Sequence, residues 1–465
     1  MSLTVQAHGT PASTHSPPSA LATRVPLSIH IDLPNSDNVS KYELSRWRRY
    51  MTLFVISWMT LVITWSSTSL FIATDEIAHE FHTTPTTLNI MNSAVLVLTG
   101  LSSLIWVPLG RIWGRKSSYI AATILILGAS IGTALAHNFA TFTAMRLLTG
   151  LPGTYFMVAG QTILTDIFPP TKRGRANGLF MTGSVSGPAL GPCISGIIIT
   201  FTNWRVIYWV QTGMVCLGLV LSVLFIASLP SKNDECLRVY TPGCTLGSCL
   251  LKLALIFDPR TTFRQFLVPR ILLAHLVCGF LAVTQFGLLA SIRYIITPRF
   301  NLSTPLVAGL FYIAPGAGFI AGSIFGGQLS DRTVKRYIVK RDGLRIPEDR
   351  LNSGLIGLFA IMPIGMLIFG WTLQQKVASL ALLLVSAFWI GAGLMGTFNG
   401  LNTYAAEVLP AQRSEVIGAK YLMQYAFGAT SSAAVIPLIQ AVGVGRASGH
   451  RWRHVCIDRC EVLES

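Results

Sequence analysis

Eleven long apolar runs determine what this chain can fold into. A hydrocarbon core about 30 Å thick needs about 20 apolar residues per helix. Runs of about this length lie at 51–73, 88–109, 118–136, 141–165, 177–201, 206–229, 270–296, 305–329, 353–373, 377–402 and 416–442. Lipid offers no partner to backbone N–H and C=O groups, so a run that spans a bilayer must be helical. The sequence therefore predicts an all-α polytopic membrane protein.

The charge content supports a surface that faces lipid. Only 12% of the residues are charged and 51% are hydrophobic, whereas soluble domains carry about 25% charged residues. The net charge of +16 does not indicate a nucleic-acid partner, because the basic residues lie between apolar runs and form no groove-reading motif. The runs contain no Ser/His, paired-Asp or His-Glu-x-x-His constellation, so we expect no enzymatic activity. The His and Cys residues near the C-terminus match no usual zinc spacing, so we expect no metal or other cofactor.

The segments outside the runs suggest how the chain is divided. Residues 1–45 are rich in Ser, Thr and Pro and predict a disordered cytosolic tail. Six runs in 46–229 predict a first six-helix bundle, 230–269 is a polar cytosolic connector, and 270–445 predicts a second bundle with five helices. Arg and His residues replace the apolar pattern in 446–465. Since each Arg costs about 2.5 kcal/mol at a helix centre, we expect this tail not to span and a twelfth helix to be missing.

The distribution of cations predicts the orientation. Lys and Arg concentrate before the first run, after the second and fourth runs, in the connector and after the eighth run, whereas the opposite loops carry few. By the positive-inside rule the N-terminus and the even-numbered loops are cytosolic, and we expect an integral protein of the plasma membrane. Asn301 precedes Leu302 and Ser303 on the outer side and is a candidate glycosylation acceptor; an unused sequon is the alternative.

Two cytosolic turns repeat one pattern at matching points of the two halves. Residues 108–116 read PLGRIWGRK, and residues 327–336 read GQLSDRTVKR. The positive-inside rule explains the cations, but it does not explain the repeated spacing of glycine and charge. The repeat therefore predicts a fold of two related bundles.

Further motifs carry a family resemblance. They are RLLTG at 146–150, GQT at 160–162, DIFPP at 166–170, Arg-Gly at 173–174 and GSVSGPALG at 183–191. Together with the two turns, they resemble the major facilitator superfamily, specifically the twelve-helix drug:proton antiporter branch that is common in fungi. The resemblance extends from about Arg46 to Gly445, and the order and spacing of the motifs make it specific.

The resemblance implies an architecture and a function. It implies two six-helix bundles around a midplane cavity. It also implies export of a small organic compound, a secondary metabolite or drug-like molecule, by alternating access in antiport with protons. The expected partners are this solute, the proton and the lipid bilayer, and the expected form is a monomer. Two alternatives stay open: a facilitator or importer on the same scaffold, and a non-transporting membrane protein that lacks its last helix.

The fourth and fifth runs contain the first predicted site residues. The resemblance implies that Arg146 takes part in proton coupling; the alternative is that its side chain extends to the outer interface. Gly183, Gly187 and Gly191 share one helix face, where small residues let two helices approach closely, and Pro188 favours a bend. The resemblance makes these four residues an antiporter motif; the alternative is small-residue packing alone.

A cytosolic gate is predicted at the two repeated turns. The family has an acidic residue where this chain has Arg111, and that acid is thought to meet the positive N-terminal end of the eleventh helix. We therefore predict an inverted ion pair between Arg111 and Glu415, and symmetry places Asp331 near the start of the fifth helix. The predicted gate comprises Arg111, Gly114, Arg115, Lys116, Asp331, Arg332 and Glu415. The first run contains no carboxylate, so proton coupling follows from the resemblance alone.

Aromatic and amide side chains within the runs are candidates for a substrate cavity, because rings supply contact area and amides orient an amphipathic solute. The candidates are Trp65, Ser66, Gln161, Gln285, Phe286, Trp389, Asn399, Asn402, Tyr421, Gln424 and Tyr425. Aromatic side chains are also ordinary packing residues, so we expect about half of the set to lie elsewhere.

Overall fold

The protein is known from a computed structural model, which describes residues 45–226, 259–292, 305–344, 346–374 and 380–442. All regular elements in these ranges are helices, which confirms the all-α prediction. Several predictions lie outside the described residues: the N-terminal tail, most of the connector, the glycosylation candidate Asn301, the charged tail 446–465 and the missing twelfth helix.

The described residues of the first half of the chain form eight α-helices. They are α1 (Arg46–Thr68), α2 (Leu70–Glu80), α3 (Pro85–Ile112), α4 (Arg115–Ala134), α5 (Phe139–Gly150), α6 (Gly153–Ile167), α7 (Arg173–Phe201) and α8 (Arg205–Phe225). Helix α2 continues almost directly from α1. Helices α5 and α6 together replace the single run predicted at 141–165, because Pro152 between them has no N–H for a helical hydrogen bond.

The second half repeats the pattern. Its helices are α9 (Arg260–Arg264), α10 (Pro269–Ser291), α11 (Pro305–Leu310), α12 (Ile313–Lys340), α13 (Asp349–Asn352), α14 (Met362–Gln374), α15 (Leu380–Glu407) and α16 (Arg413–Val442). A π-helical turn, Gly357–Ile361, lies between α13 and α14. Short 3-10 turns precede α7, α10 and α16.

Nine helical segments in the described part of the chain are long and apolar enough to cross a membrane. The other two predicted spans correspond to the interrupted α5 and α6, and to α16. Local chemistry sets several of the helix starts. Thr84 accepts a hydrogen bond from the Thr87 N–H at the start of α3, and Asn138 accepts one from the Thr141 N–H at the start of α5, as helix-capping side chains do.

The helices pack as two groups that meet along two seams. In the first group α1 packs on α7 and α8, and α4 packs on α8; in the second, α12 packs on α15 and α10 packs on α16. The first seam is formed by α3 and α16, and the second seam by α7 with α11 and α12. Each group has its own hydrophobic core. Residues on the two seams are therefore the ones able to connect the groups.

Candidate functional site

The first seam carries an ion pair at its predicted cytosolic end. Arg111, near the end of α3, contacts the carboxylate of Glu415, in the first turn of α16. The Glu415 side chain is buried, whereas that of Arg111 is partly exposed. These are the two residues for which the sequence predicts an inverted pair. The contact connects the two groups of helices through opposite charges.

The second seam is connected through Asp331 of α12. One oxygen of its carboxylate accepts a hydrogen bond from the Gly174 N–H at 2.9 Å, and the other accepts one from the Arg175 N–H at 2.8 Å. Both N–H groups belong to the first turn of α7, where the helix dipole and unpaired donors favour a negative charge. Asp331 thus holds the start of the fifth span, the position that symmetry predicts for it.

A buried arginine supports Asp331 from the other side. The Arg350 guanidinium donates to Asp331 at 2.8 Å, to the Pro170 carbonyl at 2.8 Å and to Glu407 at 3.2 Å. Glu407, at the end of α15, also pairs with Arg173 of α7 at 3.7 Å. The network therefore connects α12, α13 and α15 of one group to α7 and the turn before it in the other.

Asp166 at the end of α6 forms a third connection at the predicted cytosolic end. It pairs with Arg115 of α4 inside the first group and with Arg413 of α16 across the first seam, the latter at 3.1 Å. Gly114 precedes Arg115 with a φ of 81°, a left-handed conformation that a residue without Cβ adopts at little cost. The turn between α3 and α4 thereby directs Arg115 towards Asp166.

The other two gate candidates have different surroundings. Lys116 donates to the Val223 carbonyl at 3.2 Å, near the end of α8, where helices have unpaired carbonyl groups. Arg332 is exposed and lines a groove of about 400 Å³ between α12, α15 and the segment around the π-helical turn. Neither side chain bridges a seam among the described contacts.

Arg146 lies inside the first group of helices. Its side chain has no exposed surface. Two guanidinium nitrogens donate to Ser66 of α1, one to the hydroxyl and one to the carbonyl, each at 2.9 Å. The guanidinium also lies 5.5 Å from the ring centre of Tyr208 in α8. The alternative in which this side chain extends to the outer interface is therefore wrong.

The predicted antiporter motif lies against α1. A Cβ atom added to Gly183, Gly187 or Gly191 would overlap Ser57, Thr64 or Thr68 respectively, so only glycine permits this separation of α1 and α7. Thr68 donates a hydrogen bond to the Gly187 carbonyl at 3.1 Å. Pro188 is buried in the middle of α7. The glycine face of α7 therefore packs against α1, and both helices belong to the first group.

A polar cluster lies between the two groups, farther along the helices than the contacts at the predicted cytosolic end. Gln161 of α6 donates to the Tyr421 hydroxyl of α16 at 3.0 Å. Asn402 of α15 contacts the Met181 sulfur at 3.4 Å, and Lys420 donates to the Asn402 side-chain oxygen at 2.5 Å. Lys420 follows Arg413 by seven residues, which places it about 10 Å along α16. We name Gln161, Asn402, Lys420 and Tyr421 the central cluster.

Comparison with known proteins identifies the fold and its family. The family model described as Major Facilitator Superfamily matches residues 54–433. The chain belongs to the major facilitator superfamily. Among curated relatives, it is 26% identical to the efflux pump radE of Floropilus chiversii over 86% of this chain and 76% of that protein. It is 23% identical to the MFS antiporter QDR3 of Candida albicans over 85% and 74% of the two chains.

Two solved structures share this fold. The crystal structure of the human organic anion transporter MFSD10 superposes with a TM-score of 0.64 at 16% identity, over 86% of this chain and 96% of that one. The proton:xylose symporter XylE superposes with a TM-score of 0.63 at 14% identity, over 87% and 93%. The predicted major facilitator fold and family are thus confirmed, and the chain is a transporter that resides in a membrane.

In this structure, only some of the residues predicted to line the substrate cavity lie close together. Gln161, Asn402 and Tyr421 meet in the central cluster. Next to it, Tyr425 packs in the same apolar group as Tyr421, with Phe286 against it. Gln285, Gln424, Trp65 and Ser66 are buried or partly buried, but Ser66 binds Arg146 instead of facing the cluster.

Two cavity candidates lie elsewhere. Trp389 is 50% exposed. It lines the groove between α12 and α15 that Arg332 also lines, so its assignment to the substrate cavity is wrong. Asn399 accepts a hydrogen bond from Asn177 of α7 at 2.7 Å and donates one to the Ser323 carbonyl of α12 at 2.8 Å. These contacts make Asn399 a polar connection on the second seam.

Two buried cations of this transporter were not selected from its sequence. Lys420 lies within the run 416–442, and a charge in a membrane span is by itself a functional signal, so it could have been found by the reasoning applied to Arg146. Arg350 gave no comparable signal. It lies among the cations that follow the eighth run, and no local pattern indicates that its partners are Asp331 and Glu407.

Proposed function

We propose that this carrier exports a small organic compound across the plasma membrane by alternating access, in exchange for protons. It works as a monomer with a cytosolic N-terminus. The central cluster receives the solute, and the two groups of helices rock about it. The cytosolic gate consists of the contacts of Arg111, Asp331 and Asp166 described above.

The observation that best supports this proposal is that charged contacts close the cytosolic end between the two groups of helices. Arg111 with Glu415, Arg413 with Asp166, and Asp331 with the α7 N-terminus are charged contacts between the two groups. Arg111 and the pair of Arg413 with Asp166 are partly exposed, and charged contacts of this kind can be exchanged for water at modest cost, whereas an apolar interface of the same extent resists opening. The central cluster lies directly behind these contacts.

The proposed direction of transport and the proposed coupling to protons are supported by other observations. The relatives include proteins called an efflux pump and an antiporter, and the α1–α7 face matches the antiporter motif. Arg146 supplies a fixed charge inside the first group. A facilitator is the second candidate, because α1 contains no Asp or Glu that could carry a proton in the first span.

Flux measurements on the purified carrier in liposomes test the proposal. The liposomes are loaded with ethidium or with one of three naphthalenes of matched ring position: the carboxylate, the methanol and the methylammonium. We expect at least one probe to leave faster than from protein-free liposomes, and faster still when the exterior is acidified. Loss of the acceleration on adding nigericin would support proton exchange.

Two results would contradict the proposal in different ways. A probe that moves at the same rate with and without the pH gradient would favour the facilitator. No carrier-dependent movement of any probe would contradict export.

A further inference from the structure

We propose that the central cluster is a binding site for an organic anion, an aromatic body that carries a carboxylate, with Lys420 as the anion-binding residue. This inference rests on the proposed function and names the class of solute that the carrier moves.

Lys420 is a cation with no exposed surface. Its ammonium group has three donors. One donates to the Asn402 side-chain oxygen at 2.5 Å, and the group lies 3.2 Å from the centre of the Tyr421 ring. In the described part of the chain its further electrostatic neighbours are the His275 imidazole and the Cys278 thiol of α10, and none of these four groups is a carboxylate.

The carboxylates of the neighbouring helix ends are committed to other cations. Glu415 of the same helix contacts Arg111, Glu407 pairs with Arg350, and Asp166 pairs with Arg413. No carboxylate among the described residues forms an ion pair with Lys420. An ammonium group buried without a counter-charge is costly, and a bound anion removes most of that cost. The solute is the natural source of the anion.

Further hydrogen-bond donors converge on the same place. Gln161 comes from the first group of helices, and its Oε1 atom has no partner among the described residues. The oxygen and nitrogen of an amide exchange places when the amide turns. In the turned form the Tyr421 hydroxyl donates to Gln161, and the Gln161 NH₂ is free to donate to an anion.

His275 of α10 adds a second buried group that lacks a partner. Its side chain is almost fully buried, and neither ring nitrogen has a hydrogen-bond partner among the described residues. It lies within electrostatic range of Lys420. A neutral imidazole still has one N–H to donate. The site thus contains a cation, an amide and an imidazole in one buried region.

The apolar part of the site fits an aromatic body. Tyr421 and Tyr425 of α16 pack with Met157 of α6, and Phe286 of α10 lies against this group. The Tyr425 hydroxyl approaches the Met157 sulfur at 3.8 Å, and Met181 lies between Gln161 and Asn402. Rings and thioethers adapt to flat apolar molecules. Cationic solutes are disfavoured here because Lys420 repels them.

Equilibrium binding to the full-length carrier in lipid nanodiscs tests this site. Isothermal titration compares the naphthoate, naphthylmethanol and naphthylmethylammonium probes, which share one ring system. We expect naphthoate to bind at least about tenfold more tightly than the alcohol, because a hydrogen bond to a charged group contributes this much. The ammonium probe should bind most weakly.

Variants assign the preference to Lys420. Lys420→Gln should bind naphthoate and the alcohol equally, and Lys420→Arg should keep the preference for the carboxylate. Lys335→Gln, which removes an exposed lysine of α12, is the charge-matched control and should behave as the unmodified carrier. Asn402→Asp places a carboxylate beside Lys420 and should also abolish the preference, so the site stays testable if Lys420→Gln does not fold.

The outcomes separate this inference from the proposed export. Equal binding of naphthoate and the alcohol by the unmodified carrier, or a preference that survives Lys420→Gln or Asn402→Asp, would overturn the anion site. If the alcohol or ethidium is nevertheless exported from liposomes, the proposed function stands without it. Lys420-dependent binding of naphthoate without flux of any probe would support the site and contradict export.

Discussion

Arg146 is a charged residue buried among the membrane-spanning helices, where an ionised side chain is energetically costly. It has no exposed surface, and its guanidinium is held by the two hydrogen bonds that it donates to Ser66 and by the Tyr208 ring. A buried cation kept in this way fixes a positive potential inside the first group of helices, which raises the free energy of any second positive charge nearby. This is the physical basis on which we propose a role in proton coupling.

The prediction for Arg146 compares two substitutions. Arg146→Gln removes the charge, and we expect flux to lose its acceleration by an acidic exterior, with an initial rate lower by about tenfold or more. Arg146→Lys keeps the charge but not the two-pronged contact with Ser66, so part of the acceleration should remain. Flux in liposomes at matched carrier density checks this. Full acceleration in Arg146→Gln would exclude the role.

Glu80, at the end of α2 and beyond the predicted span 51–73, gives a prediction about pH. Burial raises the pKa of its carboxyl, but hydrogen bonds from Trp204 and Arg205 and the charge of Arg205 together lower it by more, so the pKa lies below its usual value. Arg205 donates to Glu80 at 2.5 Å. The ionised form is therefore favoured by folding, and its contribution is present above the unfolded pKa and is lost as pH falls through the lowered folded pKa.

Thermal unfolding of Glu80→Gln checks the sign. At about pH 7 the variant should be less stable than the unmodified carrier by less than about 1 kcal/mol, since Glu80 is 40% exposed and partly screened by solvent. The difference should shrink as the pH falls through the lowered folded pKa, below which both proteins carry an uncharged side chain. A difference that grows on acidification would contradict the assigned direction.

At the scale of helices, each seam is connected by a charged contact of a different kind. The first seam uses the side-chain pair of Arg111 and Glu415. The second seam uses Asp331 against the backbone N–H groups of α7. The two connections occupy equivalent places in the two halves, with Arg111 in the last turn of α3 and Asp331 in α12. Because α12 continues to Lys340, residues 327–336 are helical and do not form the turn that the sequence predicts.

Charge reversal tests the connection between α3 and α16. Arg111→Glu places two carboxylates together and Glu415→Arg places two cations together, so each change replaces an attraction between the two groups of helices with a repulsion. We expect each single variant to open the cytosolic end and to lower flux by about tenfold or more. The double variant restores an attractive pair and should recover most of the flux.

A control and an opposing result complete this test. Lys335→Glu, an exposed change on α12, should leave flux unchanged at equal expression. A double variant that is no more active than the single ones would show that Arg111 and Glu415 do not act as a pair.

At the scale of the whole molecule, orientation is the prediction with the most consequences. The positive-inside rule places the turn between α2 and α3 outside and the turn after α12 in the cytosol. Single cysteines at Thr86 and Lys340, both exposed, should therefore react differently with an impermeant maleimide. We expect Thr86→Cys to react in intact cells and Lys340→Cys only after permeabilisation, with the parent chain as control for native cysteines. The reverse pattern would invert the gate and the direction of export.

Part of this architecture can be predicted from local sequence, and part cannot. The apolar runs predict the spans, but not the division of the fourth span at Pro152 or the extension of the first span as α2. The repeated segments 108–116 and 327–336 predict that Arg111 and Asp331 occupy equivalent positions in the two halves of the chain. No local pattern indicates that Gln161 meets Tyr421, because 260 residues separate them.

Trp389 and Lys420 show why the cavity set was only partly right. In a membrane, the face of a helix towards lipid and the face towards another helix are both apolar, so periodicity does not tell them apart. Trp389 faces outward and Lys420 faces α15 of its own group, yet both lie in similar apolar surroundings in the sequence. The direction of a side chain depends on which helices are its neighbours.

The sequence by itself determined the membrane environment, the helical class, the two-bundle arrangement and the family. Lipid leaves the backbone no other structure over twenty apolar residues, and the motifs are short, local and ordered. The tertiary structure alone decided which charges meet: Asp331 with the start of α7, Arg350 with Glu407, and Lys420 with no carboxylate in the part of the chain that the structure describes. Each of these depends on helices distant in the sequence coming together, and the cost of an unpaired charge in a buried site then distinguishes the structural contacts from the candidate binding site.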